Sequence, residues 1–193
     1  MSFVSLRRRL ILPAIALLLA TGTAPAAETF KIDPVHTFVS FRIKHMNVSY
    51  TYGRFNAPEG QVVVDEDPAK SSLEIKVQAS NIDTGNEGRD KHLKGPDFFN
   101  TEEFPEVTFK STAIKSAGDS KWEVTGDLTL HGVTKSVTLT LDRVGAGKGM
   151  KGEALVGFEG ALTIKRSEYG MTGYLEGIGD EVNLWIAIEA NQG

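Results

Sequence analysis

The chain has 193 residues, no cysteine, 21 Lys and Arg against 25 Asp and Glu, and a net charge of −4. The missing cysteine excludes disulfides, thiol nucleophiles, Fe-S clusters and Cys-bound zinc, so stability must come from packing and strand pairing. The acidic balance argues against nucleic acid or an anionic lipid surface as partner.

The N-terminus reads as an export signal. Arg7, Arg8 and Arg9 form a basic segment, Leu10 to Ala20 an apolar one, and Ala24-Pro25-Ala26 a small-x-small cleavage site. The apolar run is short of the roughly 20 residues that a membrane-spanning helix needs, so stable membrane insertion is not expected. Residues 1–26 are thus read as a cleaved leader, by the general secretory or the twin-arginine route, and 27–193 as one domain exported from the cytoplasm. The remaining chain carries 18 basic and 25 acidic residues, net −7.

From Thr29 onward the dominant period is two. Phe30 to Asp33 is followed by Val39 to His45, in which Val39, Phe41 and Ile43 share a face. Met46, Tyr50 and Tyr52 mark a chain reversal, and a long strand is expected from Arg54 to Asp65, with Phe55 near its start. Leu73, Ile75, Val77 and Ala79 alternate with Ser72, Glu74, Lys76 and Gln78. Phe109 lies in a strand from Val107 to Ala113. Trp122, Val124, Leu128 and Leu130 alternate with Glu123, Thr125, Asp127 and Thr129, with Gly126 in step with the apolar set. Val137, Leu139 and Leu141 repeat the pattern, as do Ala154, Val156, Phe158, Leu162 and Ile164. Tyr169, Met171 and Tyr174 fall in a Gly-rich stretch before the last strand, Val182, Leu184, Ile186 and Ile188. Asp67-Pro68, Gly118-Asp119, His131-Gly132 and Gly145 to Gly149 supply the turns.

About eight short strands with few helices argue for an antiparallel meander, a barrel or a sandwich. An outer-membrane barrel would present an apolar band about 25 Å tall to lipid. Here one face carries Glu74, Lys76, Lys110, Glu123, Asp127 and Glu159, so a soluble barrel, polar outside and apolar inside, fits better. The apolar face also holds small residues: Ala79, Ser111, Ala113, Gly126, Ala154 and Gly160. These accommodate bulky neighbours in a filled core, or else leave the barrel partly empty for one small ligand.

Thr84-Gly85-Asn86-Glu87 has capping-box spacing, Lys91 and Lys94 suit a helix C-terminus, and Gly95-Pro96 is a stop. A short helix over 85–94 is expected, with an i, i+4 pair of Asp90 and Lys94, followed by an apolar hook of Phe98, Phe99 and Phe104 against an open barrel end. The four histidines do not suggest a metal centre: His36 and His45 are nine apart and point to opposite faces, while His92 and His131 lack partner ligands. No G-x-S-x-G elbow is present, and the carboxylate pairs Glu102-Glu103 and Asp65-Glu66-Asp67 fall in polar connections. No catalytic and no metal-binding residue is therefore assigned.

Three segments carry a resemblance: His36 to His45 (HTFVSFRIKH), Arg89 to Phe99 (RDKHLKGPDFF) with Phe104-Pro105 and Phe109-Lys110-Ser111, and Gly126 to Thr134 (GDLTLHGVT). The chain resembles the YceI-like family of bacterial periplasmic proteins, in order from about Thr29 to Glu189. The resemblance implies an all-β fold, a lipocalin-like extended antiparallel β-barrel with one or two short helices at its ends. It further implies an apolar interior for a long polyisoprenoid or other lipid-like chain, such as the tail of an isoprenoid quinone, with no required cofactor, a response to stress and a possible homodimer. The expected function is sequestration or transport without catalysis; the alternatives are an enzyme acting on a hydrophobic substrate, with His36, His45 or His92 as acid or base, and a filled structural barrel. From strand alternation and the aromatic stretches, the expected ligand contacts are Val39, Phe41, Ile43, Tyr50, Tyr52, Phe55, Leu73, Ile75, Val77, Phe98, Phe99, Phe109, Trp122, Val124, Gly126, Leu128, Leu139, Val156, Phe158, Leu162, Tyr169, Leu184 and Ile186.

Overall fold

The computed structural model describes residues 26–192; all but the last residue of the expected leader, 1–26, lies outside the described residues. Eleven strands follow in order: β1 (Glu28–Ile32), β2 (Phe38–His45), β3 (Ser49–Phe55), β4 (Glu59–Val64), β5 (Ser72–Gln78), β6 (Ile82–Asp83), β7 (Glu106–Ser116), β8 (Lys121–Leu130), β9 (Val133–Lys148), β10 (Ala154–Lys165) and β11 (Ile178–Asn191). One helix, α1 (Glu87–Leu93), interrupts them between β6 and β7.

Three pairs of these strands are single strands with a kink. β1 and β2 pair with successive parts of one edge of β11, and β4 and β3 pair with β1 and β2 in turn. β5 and β6 continue the series against β4 and β3. The ring then runs through β7, β8, β9 and β10 back to β11, every pairing antiparallel, which closes an eight-stranded meander barrel. Closure leaves most strand edges paired.

The kinks line up across neighbouring strands. Pro34, which has no N–H to donate, follows β1; Ala57, at φ 52, precedes Pro58 between β3 and β4; and a short 3-10 turn, Ala79–Asn81, separates β5 from β6. Asn56 and Asn81 tie two kinks together, Asn56 N–H donating to Asn81 O at 3.0 Å and Asn81 Nδ2 to Asn56 O at 3.1 Å. The third is stapled to β11 by Thr37, whose hydroxyl donates to Glu189 O (3.0 Å) and accepts from Glu189 N–H (3.1 Å). The expected strand from Arg54 to Asp65 is therefore two strands, and the first begins five residues earlier, at Ser49.

Hairpin alternation sorts the connections to two ends. The turn after β2, residues 84–105, the His131-Gly132 turn and residues 166–177 gather at the helix end. The turns at 65–71, 117–120 and 149–153 gather at the far end with both termini of the described chain. His131 (φ 51) and Gly132 (φ 73) form a two-residue turn of the kind that suits a twisted hairpin. The expected turn at Gly145 to Gly149 instead begins at Gly149, since Gly145 and Gly147 are still paired with β10.

Pleating sends the alternating apolar sets of β2, β5, β8, β10 and β11 inward, while β7 departs from the expected pattern. A bulge between Ser111 and Ala113 shifts the β7 register, so Ala113 is exposed and Ile114 is buried instead. The outer face carries ion pairs between strands, among them Lys110 with Glu74 at 2.7 Å and Lys76 with Glu59 and Glu106 at 3.5 and 3.7 Å. Such pairs add little stability each, but a charged exterior is the reverse of what lipid contact requires.

Candidate functional site

The barrel interior is divided. In the far half Phe30, Ile32, Val62, Trp122, Phe158 and Ala190 belong to one buried cluster, with the Trp122 and Phe158 rings 4.8 Å apart. Towards the helix end the packing gives way to a cavity of about 320 Å³, within the range of small-molecule sites. Both sequence-level alternatives thus hold in part: one half is filled and the other is not.

The wall of the cavity is mostly aliphatic and aromatic. Of the expected contacts it includes Val39, Phe41, Ile43, Phe55, Leu73, Ile75, Val77, Phe98, Phe99, Phe109, Leu128, Leu139, Leu162, Leu184 and Ile186. Several others lie elsewhere, and the reasons are geometric. Trp122, Val124, Val156 and Phe158 point inward but belong to the filled half. Gly126 stands behind Phe109. Tyr50 and Tyr52 are exposed, because Thr51 pairs with Ile43 and takes the inward position, which turns both neighbours outward. The Arg42 guanidinium lies 4.5 Å from the Tyr50 ring and 5.1 Å from that of Trp185 on this outer face. Tyr169 is 1% exposed and packs in a separate cluster with Leu130, Ile164 and Met171, its carbonyl 3.0 Å from His131 Nδ1.

The Phe hook covers part of the helix end. Phe98 is buried, and Phe99 meets Phe55 edge-on at 5.5 Å. Tyr174 from the last connection stacks on Phe98 at 5.9 Å, and His92 meets both rings edge-on. Phe98 and Phe99 therefore pack across part of the barrel end and form part of the cavity wall.

Helix α1 starts later than expected. Asn86, not Thr84, is its cap, accepting from Arg89 N–H at 2.9 Å. Thr84 is instead the centre of a small network: its N–H and hydroxyl donate to Asp90, while Arg89 donates from Nε to the Thr84 hydroxyl (2.7 Å) and from Nη2 to the Thr84 carbonyl (2.6 Å). Asp90 is thus engaged with Thr84 rather than with Lys94. His92 Nε2 lies 3.3 Å from Asp97 Oδ2.

Several lining residues are absent from the sequence-level set, including His45, Thr51, Thr84, Arg89, His92 and Arg166. His45 could have been found by continuing the Val39, Phe41, Ile43 alternation by one step. His45, Arg89 and His92 are both exposed and part of the wall, which marks the mouth of the cavity. Arg166 had no sequence signal. It is 3% exposed and donates to Gly179 O (2.9 Å), Met171 O (2.8 Å) and Ile178 O (3.0 Å), pinning the last connection to the barrel. Burial pulls its guanidinium below the ordinary arginine range, partly offset by Asp180, yet it remains a cation. Asp180 is held below the usual carboxylate value by the Ser167 N–H and, more weakly, the Ser167 hydroxyl.

One group of potential metal ligands occurs among the described residues. Donor atoms of Asp33, His36 and Glu189 lie within 4.8 Å of one another, with His36 Nδ1 3.0 Å from Asp33 Oδ2 and 3.6 Å from Glu189 Oε1. A search limited to histidine pairs overlooks it. An ion pair of a partly exposed carboxylate with an exposed imidazole accounts for the geometry. No helix among the described residues is long and apolar enough to cross a membrane.

Residues 30–190 match the model of the YceI-like domain. Protein YceI of Salmonella newport is 40% identical over 180 residues, covering 92% of this chain and 93% of that protein. BcnA of Burkholderia cenocepacia superposes with a TM-score of 0.75 at 31% identity, over 82% of this chain and 99% of that one. A polyisoprenoid binding domain from Saccharophagus degradans, implicated in plant cell wall breakdown, shares the fold at a TM-score of 0.66 and 15% identity, over 85% of this chain and 98% of that one.

Proposed function

The chain belongs to the YceI-like family, and on that footing we propose that it is an exported, non-catalytic carrier or store for a long apolar ligand of the polyisoprenoid, isoprenoid quinone or similar lipid class. The observation that carries this reading is the cavity itself: about 320 Å³ of space walled by Val, Ile, Leu and Phe side chains in a barrel whose other half is tightly filled. A void of this size is unusual in a close-packed interior, and apolar walls make it unattractive to water. The polyisoprenoid binding named for the Saccharophagus relative supports the same class of ligand, and the leader-like N-terminus supports a periplasmic location.

Burial of hydrocarbon contributes about 0.8 kcal/mol per CH₂, so a long chain binds without strong polar contacts. The site then selects length and shape. A titration with isoprenoid alcohols of increasing length, followed by displacement of a fluorescent apolar probe, should show affinity rising with each isoprene unit until the cavity is full. Flat affinity across the series, or no displacement, contradicts the reading.

A further inference from the structure

Exposed apolar side chains gather at one place on the helix end. Met46 and Val48 in the turn between β2 and β3 stand with Tyr174 and Leu175 of the last connection, and Val48 is 85% exposed. The two segments touch: Met46 N–H donates to Gly177 O, and a carbon built on Gly177 would lie 3.0 Å from Met46 Sδ. Between them lies an open cleft, and His45 and Ile178 line both this cleft and the apolar cavity. The cleft and the cavity mouth are therefore neighbours. Met46 and Asn47 also sit at φ 50 and 58, the left-handed region that suits Asn or Gly far better than a bulky apolar residue. The turn itself has no local need for Met or Val.

Behind this rim the pleat sets out a second layer. On the outer face Tyr50 pairs with Lys44, Tyr52 with Arg42 and Trp185 with Ser40, in successive rungs about 7 Å apart. All three rings are exposed. Arg42 and Lys44 form no ion pair among the described residues, and Arg42 Nε donates to the neutral Asn183 side chain at 3.0 Å. Elsewhere on the wall lysines have acids beside them: Lys110 has Glu74, Lys115 has Glu123 and Lys121 has Asp142. The order from the tip is thus apolar side chains, then phenols beside uncompensated cations, then an indole. Tyr and Trp favour a membrane–water boundary, and Lys and Arg at the same level attract anionic lipid. Among the described residues, the one carboxylate lining the cleft is Glu176.

We propose that the β2–β3 turn and the 172–177 connection form a reversible docking rim for an anionic phospholipid bilayer, and that the hydrocarbon ligand passes between cavity and membrane through the cleft beside His45. The passage of ligand rests on the lipid-carrier reading above; the docking does not. Interfacial elements bury apolar side chains about 5–10 Å deep, which seats Met46, Val48, Tyr174 and Leu175 at the acyl boundary and leaves Lys44 and Arg42 at head-group level. The acidic remainder of the chain is repelled by the same surface, so it orients the barrel with its mouth towards the membrane. A second copy of this chain fits the rim less well. A two-fold contact would bring Arg42 and Lys44 of each copy against those of the other, with Glu176 the only acid of the cleft to oppose them.

The test is co-sedimentation of the purified protein with vesicles of phosphatidylcholine, alone or mixed with phosphatidylglycerol, at low salt. The mixed vesicles should bind about tenfold more strongly, and added salt should erase the difference. The double variant Met46→Ser, Val48→Ser should lower binding to both kinds of vesicle about tenfold. Arg42→Gln, Lys44→Gln should remove the preference for phosphatidylglycerol, while Val144→Ser, exposed on β9, should change neither. Uptake of a fluorescent apolar probe shows that the rim variants keep the folded barrel and its cavity. Equal binding to the two vesicles, no binding to either, or unchanged binding in either double variant overturns the docking rim while leaving the carrier reading standing. Vesicle binding by a protein that takes up no probe overturns the carrier reading and, with it, the passage of ligand. A dimer in analytical ultracentrifugation that Met46→Ser, Val48→Ser dissociates would assign the rim to a second copy and overturn the proposal.

Discussion

Gly126 makes room for Phe109. A methyl carbon built on Gly126 would lie 2.5 Å from Phe109 Cζ, 2.8 Å from Cε2 and 2.6 Å from the Lys110 carbonyl. The Phe109 ring therefore rests on bare backbone, and its other side forms cavity wall. The same absence of a side chain sets both the packing of one strand pair and the width of the site.

Gly126→Val should push the Phe109 ring into the cavity, lower the affinity for an apolar chain and destabilise the fold by about 1–3 kcal/mol. Gly145→Ala, where the added carbon meets nothing within 4 Å, should leave stability within about 0.5 kcal/mol. Probe binding and thermal unfolding of the two variants check this; equal probe affinity in both would place Gly126 outside any influence on the site.

Much of this was legible in the sequence. Period-two alternation placed Phe41, Ile75, Val77, Leu128, Leu184 and Ile186 inward, and the interruption by Gly95-Pro96 pointed to a helix and an apolar hook at one end. What alternation cannot report is depth along the barrel. Trp122 and Phe158 obey the same period as Leu128 and Leu162, yet two fill the far half and two line the cavity, because strand register decides which level each occupies. Nor does it report a bulge, which turned Ala113 outward, or a kink, which divided the expected Arg54 to Asp65 strand. Arg166 was invisible for another reason: its partners are backbone carbonyls at positions 171, 178 and 179, which any residue type supplies.

Arg166→Met should destabilise the protein by at least about 3 kcal/mol, since three carbonyl groups lose their donor in a part-buried setting. Denaturant unfolding measures the loss. Hydrogen exchange should rise locally over residues 170–179 before the rest of the barrel, and a uniform rise would contradict the role assigned to this side chain.

Thr37→Val removes a hydroxyl that both donates to and accepts from the backbone of Glu189. The variant should lose about 1–3 kcal/mol, with exchange rising for Glu189 N–H, where the kinked first strand meets the last. Unchanged protection at Glu189 would show that strand pairing alone holds this seam.

The Asp33 and His36 pair should be visible in a pH titration. The Asp33 carboxylate raises the His36 imidazole above its ordinary 6.5, and the hydrogen bond from His36, followed by the Val35 and His36 N–H groups, lowers Asp33 below its ordinary 3.8. The His36 contribution is present below 6.5 and is lost as pH rises through its raised value. The Asp33 contribution is present above 3.8 and is lost as pH falls through its depressed one. NMR should place the His36 midpoint above 6.5 and return it towards that value in Asp33→Asn; an identical midpoint in both proteins would contradict the pairing.

Native mass spectrometry of the protein purified without detergent, combined with solvent extraction, tests the central claim most directly. A barrel that holds a hydrocarbon chain should release a hydrophobic molecule, about one per chain, and Gly126→Val should carry less of it. A protein that emerges empty, and takes up no added isoprenoid lipid, would contradict a ligand-holding interior.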